Sequence, residues 1–236
     1  MTCLAVRDLH AHYGKSHILR GVDFSVDAGE IVSLIGRNGS GRSTTLKAIM
    51  GLVEPTTGAV VLDGVDVAGR QPYEIARSGI AYVPEERLVF ANLTVEHNLQ
   101  LGLAPARENA PRWTVAQMCD YFPRLAERMK TLAGSLSGGE QQMLTLCRSL
   151  LGNPRVILID EPTEGLAPKI VDSVMQMITD IGSRGVGVVL VEQKLTFALR
   201  ISKRIFVMGH GRVVFEGSPA DLKNDAKVRR NWLEVA

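Results

Sequence analysis

Gly36-Arg37-Asn38-Gly39-Ser40-Gly41-Arg42-Ser43-Thr44 is the stretch that decides the fold. It follows a continuous apolar run at 31–35, which is typical of a buried central strand, and precedes a predicted helix at about 42–51. Glycines let backbone N–H groups turn inward around phosphate oxygens, and the helix N-terminus adds partial positive charge. The stretch matches the phosphate-loop pattern GxxxxGK[ST], except that Arg42 stands where lysine is expected. It therefore predicts a phosphate-binding loop in which Ser43 supplies a hydroxyl ligand to Mg²⁺.

A second informative stretch, Val156-Ile157-Leu158-Ile159-Asp160-Glu161, is an apolar strand that ends in two carboxylates. It has the form of a Walker B motif, because a carboxylate at the C-terminal end of a parallel strand can reach a metal at the phosphate loop. We predict that Asp160 contacts the metal, directly or through water, and that Glu161 is the general base that orients the attacking water. The alternative is a carboxylate that only caps the next helix, which the presence of the phosphate loop disfavours.

The third stretch is Leu136-Ser137-Gly138-Gly139-Glu140-Gln141-Gln142. Ser137, with Glu140 three residues later, predicts a capping box at the start of a helix. One apolar face of that helix is expected to carry Met143, Leu144, Cys147, Leu150 and Leu151. Glycine in a first helical turn costs about 1 kcal/mol relative to alanine, so a pair there needs a reason. Bare glycines would let the helix N–H groups approach an anion.

The rest of the pattern alternates strands with helices, which predicts an α/β fold with a mostly parallel central sheet. Early strand pairs, including a hairpin over 58–69 around Asp63-Gly64, predict an added N-terminal antiparallel β-subdomain. Residues 87–152 have helical character and predict an inserted α-helical subdomain, so the core would comprise about 1–86 and 153–236 of a single domain. Other strands are expected at 4–9, 24–26, 80–83, 156–159, 186–191, 204–208 and 212–215, and helices after Thr94, at 114–129 with a break near Pro123, and at 168–183.

The composition and charge of the chain argue against nucleic-acid binding and against insertion into a membrane. The chain has 27 basic and 25 acidic residues and a net charge of +2, so it lacks the basic excess that is usual in nucleic-acid-binding proteins. Its start does not match a signal peptide, and no apolar run approaches the roughly 18–20 residues that span a bilayer. We therefore expect a chain that does not enter the membrane by itself.

The cysteines and histidines form no recognisable metal-binding pattern. The three cysteines, which also form no disulfide pattern, are expected to be free thiols in a reducing cytoplasm: Cys3, Cys119 and Cys147. Histidines without ligand spacing on a helix face are predicted to be surface or turn residues: His10, His12, His17, His97 and His210.

With these motifs in this order, the chain resembles the nucleotide-binding subunits of ABC transporters over nearly its whole length. The resemblance implies a P-loop NTPase fold and ATP hydrolysis coupled to transport, with ATP and Mg²⁺ bound. In that family the signature residues bind the γ-phosphate of ATP held by the opposite subunit, so hydrolysis needs a dimer; here they are Ser137, Gly138 and Gly139. Tyr13, in Ala11-His12-Tyr13-Gly14, falls where the family stacks an aromatic ring on adenine. The implied contacts to this chain's own nucleotide are Gly36, Arg37, Asn38, Gly39, Ser40, Gly41, Arg42, Ser43 and Thr44.

A narrower resemblance, to the ATPases of branched-chain amino acid uptake, rests on three phrases. Tyr82-Val83-Pro84-Glu85-Glu86-Arg87, followed by Leu93-Thr94-Val95-Glu96-His97-Asn98-Leu99, looks like their Q-loop region. Glu161-Pro162-Thr163-Glu164-Gly165-Leu166-Ala167-Pro168 looks like their D-loop, and Val191-Glu192-Gln193 like their switch segment. The resemblance implies that Glu85 and Gln193 act with Glu161 in catalysis, and that Glu85 also contributes to the metal site with Ser43 and Asp160. Uptake systems for urea and short amides share much of these phrases and remain an alternative.

Three positions depart from the general ABC pattern: Arg42 replaces the loop lysine, Glu85 the Q-loop glutamine, and Gln193 the switch histidine. The last two resemble the amino acid uptake branch. Guanidinium is larger than ammonium and planar, so arginine and lysine are not interchangeable at tight sites. Our hypothesis is that this chain's own site hydrolyses ATP slowly, while its signature motif supports a competent site on a different partner. Intact Asp160 and Glu161 predict impaired rather than absent hydrolysis.

The resemblance also implies partners. These are two transmembrane permease subunits, a second ATPase subunit and, indirectly, a periplasmic solute-binding protein. The second ATPase is predicted to be a different chain, because the signature motif here is intact whereas the phosphate loop and the switch segment depart from the family pattern. The chain is expected to be peripheral at the cytoplasmic face of the inner membrane, with coupling through Glu85 and the helical region after it. One alternative is an ABC ATPase that acts on nucleic acid or ribosomes, but the sequence lacks the second ATPase domain or basic extensions usual there. The other is a weakly hydrolysing regulatory module.

Overall fold

The computed structural model describes residues 1–107 and 110–233, so the predicted helical region 87–152 is described apart from positions 108 and 109. The strands are β1 (Thr2–Tyr13), β2 (Ser16–Asp27), β3 (Ile31–Gly36), β4 (Pro55–Leu62), β5 (Val65–Asp66), β6 (Ile80–Val83), β7 (Val156–Asp160), β8 (Gly187–Val191), β9 (Arg204–Gly209) and β10 (Arg212–Gly217). The α-helices are α1 (Arg42–Ile49), α2 (Pro72–Ser78), α3 (Val95–Gly102), α4 (Val115–Tyr121), α5 (Pro123–Ala126), α6 (Gly138–Leu150), α7 (Pro168–Ser183), α8 (Leu195–Ile201), α9 (Pro219–Asn224) and α10 (Ala226–Trp232).

The central sheet has the strand order β10-β9-β3-β8-β7-β6, and only the β9–β10 pair is antiparallel among its described pairings. Every residue of β7 and β8 is buried, because both faces of these strands are covered, as is usual for parallel sheets. In this order β8 lies between β3 and β7, so the carboxyl ends of the three strands meet at one edge of the sheet. The predicted mostly parallel sheet is confirmed, and the segments after these strands form the candidate site.

The second sheet is antiparallel, with the order β2-β1-β4-β5. Its first hairpin is longer than predicted, since the expected strands at 4–9 and 24–26 are parts of two twelve-residue strands. The pairing of β1 with β2 shifts register after Val6, where Asp8 has φ 44°. Such irregularities break the two-residue alternation on which strand prediction depends. The predicted turn at Asp63-Gly64 is confirmed and joins β4 to β5.

The segment from 87 to 152 carries α3 to α6 and no named strand over its described residues. The predicted break near Pro123 is confirmed, because α4 ends at Tyr121 and α5 begins at the proline. Thr94 caps α3 by accepting a hydrogen bond from the His97 N–H at 3.1 Å. The predicted capping box is present at the start of α6. The five residues expected on its apolar face are all buried, so this prediction is also confirmed.

Four short helices were not predicted: α2, α8, α9 and α10. Each has six or seven residues, too few for a helical periodicity to stand out from the neighbouring strands. The readable start signal of α2 was Pro72 at its first position, where the fixed φ of proline suits a helix start. Over the described residues, no helix is long and apolar enough to cross a membrane. The three cysteines are free, as predicted, and burial raises the pKa of Cys3 to about 11.

Candidate functional site

The predicted phosphate loop leaves the end of β3 and enters α1 at Arg42. Gly39 and Gly41 have φ values of 78° and 103°, in the left-handed region that favours glycine. The first turn of α1 carries no acidic side chain, so nothing there competes with an anion for the helix N-terminus. A cavity of about 300 Å³ opens beside the loop, and its lining is Asn38, Gly39, Ser40, Gly41, Arg42, Ser43, Thr44, Glu85, Glu161 and Gln193. Most of the predicted site residues therefore face one cavity.

Ser43 and Asp160, predicted as metal ligands, are in direct contact. The Ser43 hydroxyl donates to Asp160 Oδ1 at 3.0 Å, and the Tyr82 hydroxyl donates to Asp160 Oδ2 at 3.3 Å. Asp160 is buried, and burial raises its pKa although both hydrogen bonds oppose the shift. A hydroxyl and a carboxylate are hard oxygen ligands of the kind that Mg²⁺ prefers. The donor set at this contact therefore fits the metal that the sequence predicted.

Glu161 follows β7 directly and has φ 45°, an uncommon backbone conformation for a residue other than glycine. The Gln193 amide donates to both of its carboxylate oxygens, at 2.9 Å and 2.8 Å. Arg42 Nη2 forms an ion pair with Oε1 at 3.1 Å. Burial raises the pKa of Glu161, and these two partners act in the opposite direction. Two side chains from other segments thus fix the position of this carboxylate.

Arg42 is buried with only 5% of its surface exposed, and all its contacts are within the site. Besides Glu161, its Nη1 donates to the carbonyl oxygen of Glu192 at 3.1 Å and its Nη2 to Asn38 Oδ1 at 3.4 Å. The planar guanidinium therefore bridges the phosphate loop and the segments after β7 and β8. A lysine ammonium, with one nitrogen, could not span all three acceptors in this way.

Glu85 lies with two other carboxylates, Glu161 and Glu164, whose nearest oxygens are all within 4.8 Å of one another. Partial burial, a hydrogen bond with Glu164 and the charge of Glu161 raise the pKa of Glu85. The structure therefore places Glu85 beside the predicted general base. It also lines the cavity with Ser43.

The signature residues do not line this cavity within the described part of the chain. Ser137 caps α6: its backbone N–H donates to Glu140 Oε2 at 2.8 Å and its hydroxyl accepts from the Glu140 N–H at 3.4 Å. Tyr13 is half exposed at the end of β1 and does not line the cavity either. One chain therefore brings together the phosphate-loop and carboxylate residues, and it leaves the signature helix separate from them.

Four residues with contacts in the site were given no role from the sequence. Tyr82 holds Asp160, and Glu192 accepts a hydrogen bond from the Thr163 hydroxyl at 2.8 Å. Arg87 contacts the backbone of Glu164. Glu192 could have been found, because it directly follows β8 as Glu161 follows β7. Tyr82 and Thr163 carried no signal, since their importance depends on which side chains they meet.

Three of the histidines lie together on the β1–β2 hairpin. His10 Nδ1 is 3.0 Å from His17 Nε2, and the His12 and His17 rings stack with centroids 4.1 Å apart. All three are partly exposed, which agrees with the prediction of surface residues. The prediction did not foresee that these histidines lie together, because it considered only spacings along a helix. Paired strands bring residues from different segments onto one face of a sheet.

Comparison with known sequences places these features in a family. A family described as "ABC transporter" matches residues 19–164. BraG of Pseudomonas aeruginosa, a high-affinity branched-chain amino acid transport ATP-binding protein, is 39% identical over 98% of this chain and 99% of its own length. LivF of Archaeoglobus fulgidus, a probable branched-chain amino acid transport ATP-binding protein, is 37% identical over 96% and 97%. LptB of Haemophilus influenzae, a lipopolysaccharide export system ATP-binding protein, is 32% identical over 99% and 98%.

Solved structures show the same fold. A nucleotide-free ATP-binding cassette from an ABC transporter superposes with a TM-score of 0.82, at 25% identity, over 97% of each chain. An ATP-binding subunit of an ABC transporter gives 0.82 at 32% identity, over 96% of this chain and 94% of its own. The ADP conformation of MJ1267, an ATP-binding cassette of an ABC transporter, also gives 0.82, at 25% identity, over 98% of each chain.

Proposed function

The chain belongs to the ABC transporter family as an ATP-hydrolysing subunit, and on that premise we propose that it drives uptake of branched-chain or other hydrophobic amino acids. The observation that carries the proposal is the 39% identity to BraG over nearly the full length of both chains, supported by LivF at 37%. The export protein LptB is 32% identical, so the direction of transport needs a direct test. Urea or short amides are the alternative solutes.

Uptake of labelled solutes tests this proposal. Cells that lack the chain should lose leucine, isoleucine and valine uptake, and the wild-type chain should restore it whereas the Glu161→Gln variant should not. Uptake of urea and acetamide, measured in the same cells, should not change. Loss of urea or acetamide uptake alone would contradict the amino acid assignment, and unchanged uptake of every solute would contradict import.

In the proposed mechanism, the loop from Gly36 to Thr44 binds the phosphates of ATP through its backbone N–H groups and the N-terminus of α1. Ser43 and Asp160 would hold Mg²⁺, which supplies charge neutralisation at the β- and γ-phosphates when bound. Tyr82 fixes the second oxygen of Asp160, so the carboxylate keeps one orientation. Tyr13, half exposed at the end of β1, stacks on adenine.

Glu161 accepts a proton from the attacking water, and Gln193 holds the carboxylate through both oxygens. Arg42 is paired with the same carboxylate in the structure, and in the proposed mechanism it exchanges Glu161 for a phosphate oxygen when ATP binds. Glu85 lies beside Glu161 and links the catalytic carboxylate to the loop before α3. Ser137, Gly138 and Gly139 meet the ATP of a second subunit, which fits their separation from this chain's own cavity.

The proposed partners are two permease subunits, a second and different ATPase chain, and indirectly a periplasmic solute-binding protein. The chain sits at the cytoplasmic face of the inner membrane, held by its permeases. The segment after Glu85 supports a docking role because it exposes large apolar side chains: Leu88, Phe90, Leu101 and Leu103. These side chains would be covered by the membrane subunits.

We expect Arg42→Lys to increase the ATPase rate of the assembled transporter, by about threefold or more. A lysine keeps the positive charge for the phosphates but loses the geometry that joins Glu161, Glu192 and Asn38, so Glu161 is released more readily. The rate is measured at saturating ATP with Mg²⁺. An unchanged rate would remove Arg42 as the cause of slow hydrolysis, and Gln193→His provides a separate variant for the switch position.

A further inference from the structure

The guanidinium of Arg87 joins three segments that are separate in the sequence. Arg87 lies in the loop after β6, two residues beyond Glu85, with φ 51°. Its Nη2 donates to the carbonyl oxygen of Glu164, in the turn after β7, at 2.9 Å. Among the described residues no carboxylate lies within ion-pair distance of Arg87, so the contact is directed at a backbone carbonyl and not at a charge.

The same guanidinium lies against two glycines. A Cβ atom on Gly138 would collide with Arg87 Nη1 and would lie 3.1 Å from Cζ. A Cβ atom on Gly165 would lie 3.1 Å from Nη2. Gly165 also has a φ of 63°, which favours glycine by itself. Gly138 is the first residue of α6 and has no left-handed φ, so its backbone would accept alanine, the better helix former. A methyl group at position 138 would therefore require the guanidinium of Arg87, or the first turn of α6, to shift.

We propose that Arg87 is a positioning residue for ATP hydrolysis, whose guanidinium sets the first turn of α6 against the Glu164–Gly165 turn. This rests on the proposed two-subunit site, in which that turn of α6 meets the ATP of the partner. Because Arg87 is two residues from Glu85, the contact also ties the surface offered to the partner to the loop beside this chain's own Glu161. An arginine fork can donate to the Glu164 carbonyl through Nη2 while its Nη1 end lies against Gly138, whereas a lysine has one nitrogen and could make only the hydrogen bond.

A double-mutant cycle tests the contact directly. ATPase activity is measured on the complex assembled with its membrane subunits, for Arg87→Ala, Gly138→Ala and the double variant. We expect each single substitution to lower kcat by about tenfold, since each displaces the first turn of α6. In the Arg87→Ala background, Gly138→Ala should add less than about threefold, because the side chain with which the new methyl group collides is gone.

Gly139→Ala is the matched control. A Cβ atom there would lie 3.3 Å from Ile170 Cδ1 and 3.4 Å from Leu166 Cδ2, and Arg87 is not among its contacts. Its effect on kcat, as a fold-change, should therefore be the same in the wild-type chain and in the Arg87→Ala background. Arg87→Lys should retain an intermediate rate, and the cycle can be repeated in that background if Arg87→Ala does not fold.

Two further readouts separate positioning from general damage. Arg87 does not line the nucleotide cavity over the described residues, so Arg87→Ala should leave ATP affinity of the isolated chain within about twofold and its melting temperature nearly unchanged. Multiplicative effects of Arg87→Ala and Gly138→Ala, or a kcat within twofold of wild type for Arg87→Ala, would overturn the proposal. A failed solute assignment would not change these ATPase values, so the two proposals fail independently.

Discussion

Replacing Glu161 with glutamine should lower the ATPase rate by about 100- to 10,000-fold, the usual contribution of a general base. Glutamine has the same shape and can still contact Gln193, but it cannot accept a proton from the attacking water. Gln193 and Arg42, from two other segments, and the backbone φ of 45° at Glu161 itself together fix where this carboxylate points. The rate is measured by phosphate release at saturating ATP and Mg²⁺, with ATP binding measured separately and expected to persist.

Glu164→Gln is the matched control for this experiment. Glu164 belongs to the same carboxylate cluster but is exposed, and its contact with Arg87 uses the backbone carbonyl, which the substitution keeps. Its rate should stay within about threefold of wild type. If the Glu161 variant kept more than a tenth of the wild-type rate, or if both variants were equally impaired, Glu161 would not be the general base.

Replacing Arg42 with alanine should destabilise the nucleotide-free chain by about 3 kcal/mol, the cost of leaving one member of a buried ion pair without its partner. Arg42 and Glu161 are 5% and 6% exposed and 3.1 Å apart, so the carboxylate that remains is poorly solvated. The effect is enlarged by Glu85 and Glu164, whose charges lie beside Glu161. For a domain of this size the melting temperature should fall by roughly 6–12 °C. If Arg42 binds phosphate as proposed, ATP affinity should also fall at least about tenfold.

The double variant Arg42→Ala with Glu161→Gln distinguishes an unpaired charge from a lost packing contact. Removing both charges leaves no unpaired carboxylate at position 161, so most of the stability lost in Arg42→Ala should return. Thermal unfolding without nucleotide provides the comparison. A double variant no more stable than Arg42→Ala would mean that the packing of the arginine stem, and not its ion pair, carries the effect.

Features that depend on neighbouring residues were predictable from the sequence. The capping box between Ser137 and Glu140 spans three residues, and the apolar face of α6 repeats within its own helix. The break at Pro123 follows from the missing N–H of proline. The order of motifs identified the family, which the matches to BraG and to solved cassettes confirm. The short helices were missed because each has too few residues for its periodicity to be recognised. The strands of the first hairpin were predicted too short because register shifts interrupt their alternation.

By itself, the sequence determined the predicted phosphate loop, the two acids at the end of β7, the signature helix and hence the family, because these signals are local patterns of glycine, charge and apolar spacing. Only the tertiary structure decided which side chains meet. Gln193 reaches Glu161 across 32 residues of chain, Arg87 reaches Glu164 across 77, and Arg42 reaches Glu161 across 119. Separation along the chain carries no information about such contacts, since they are set by the strand order that places β8 between β3 and β7.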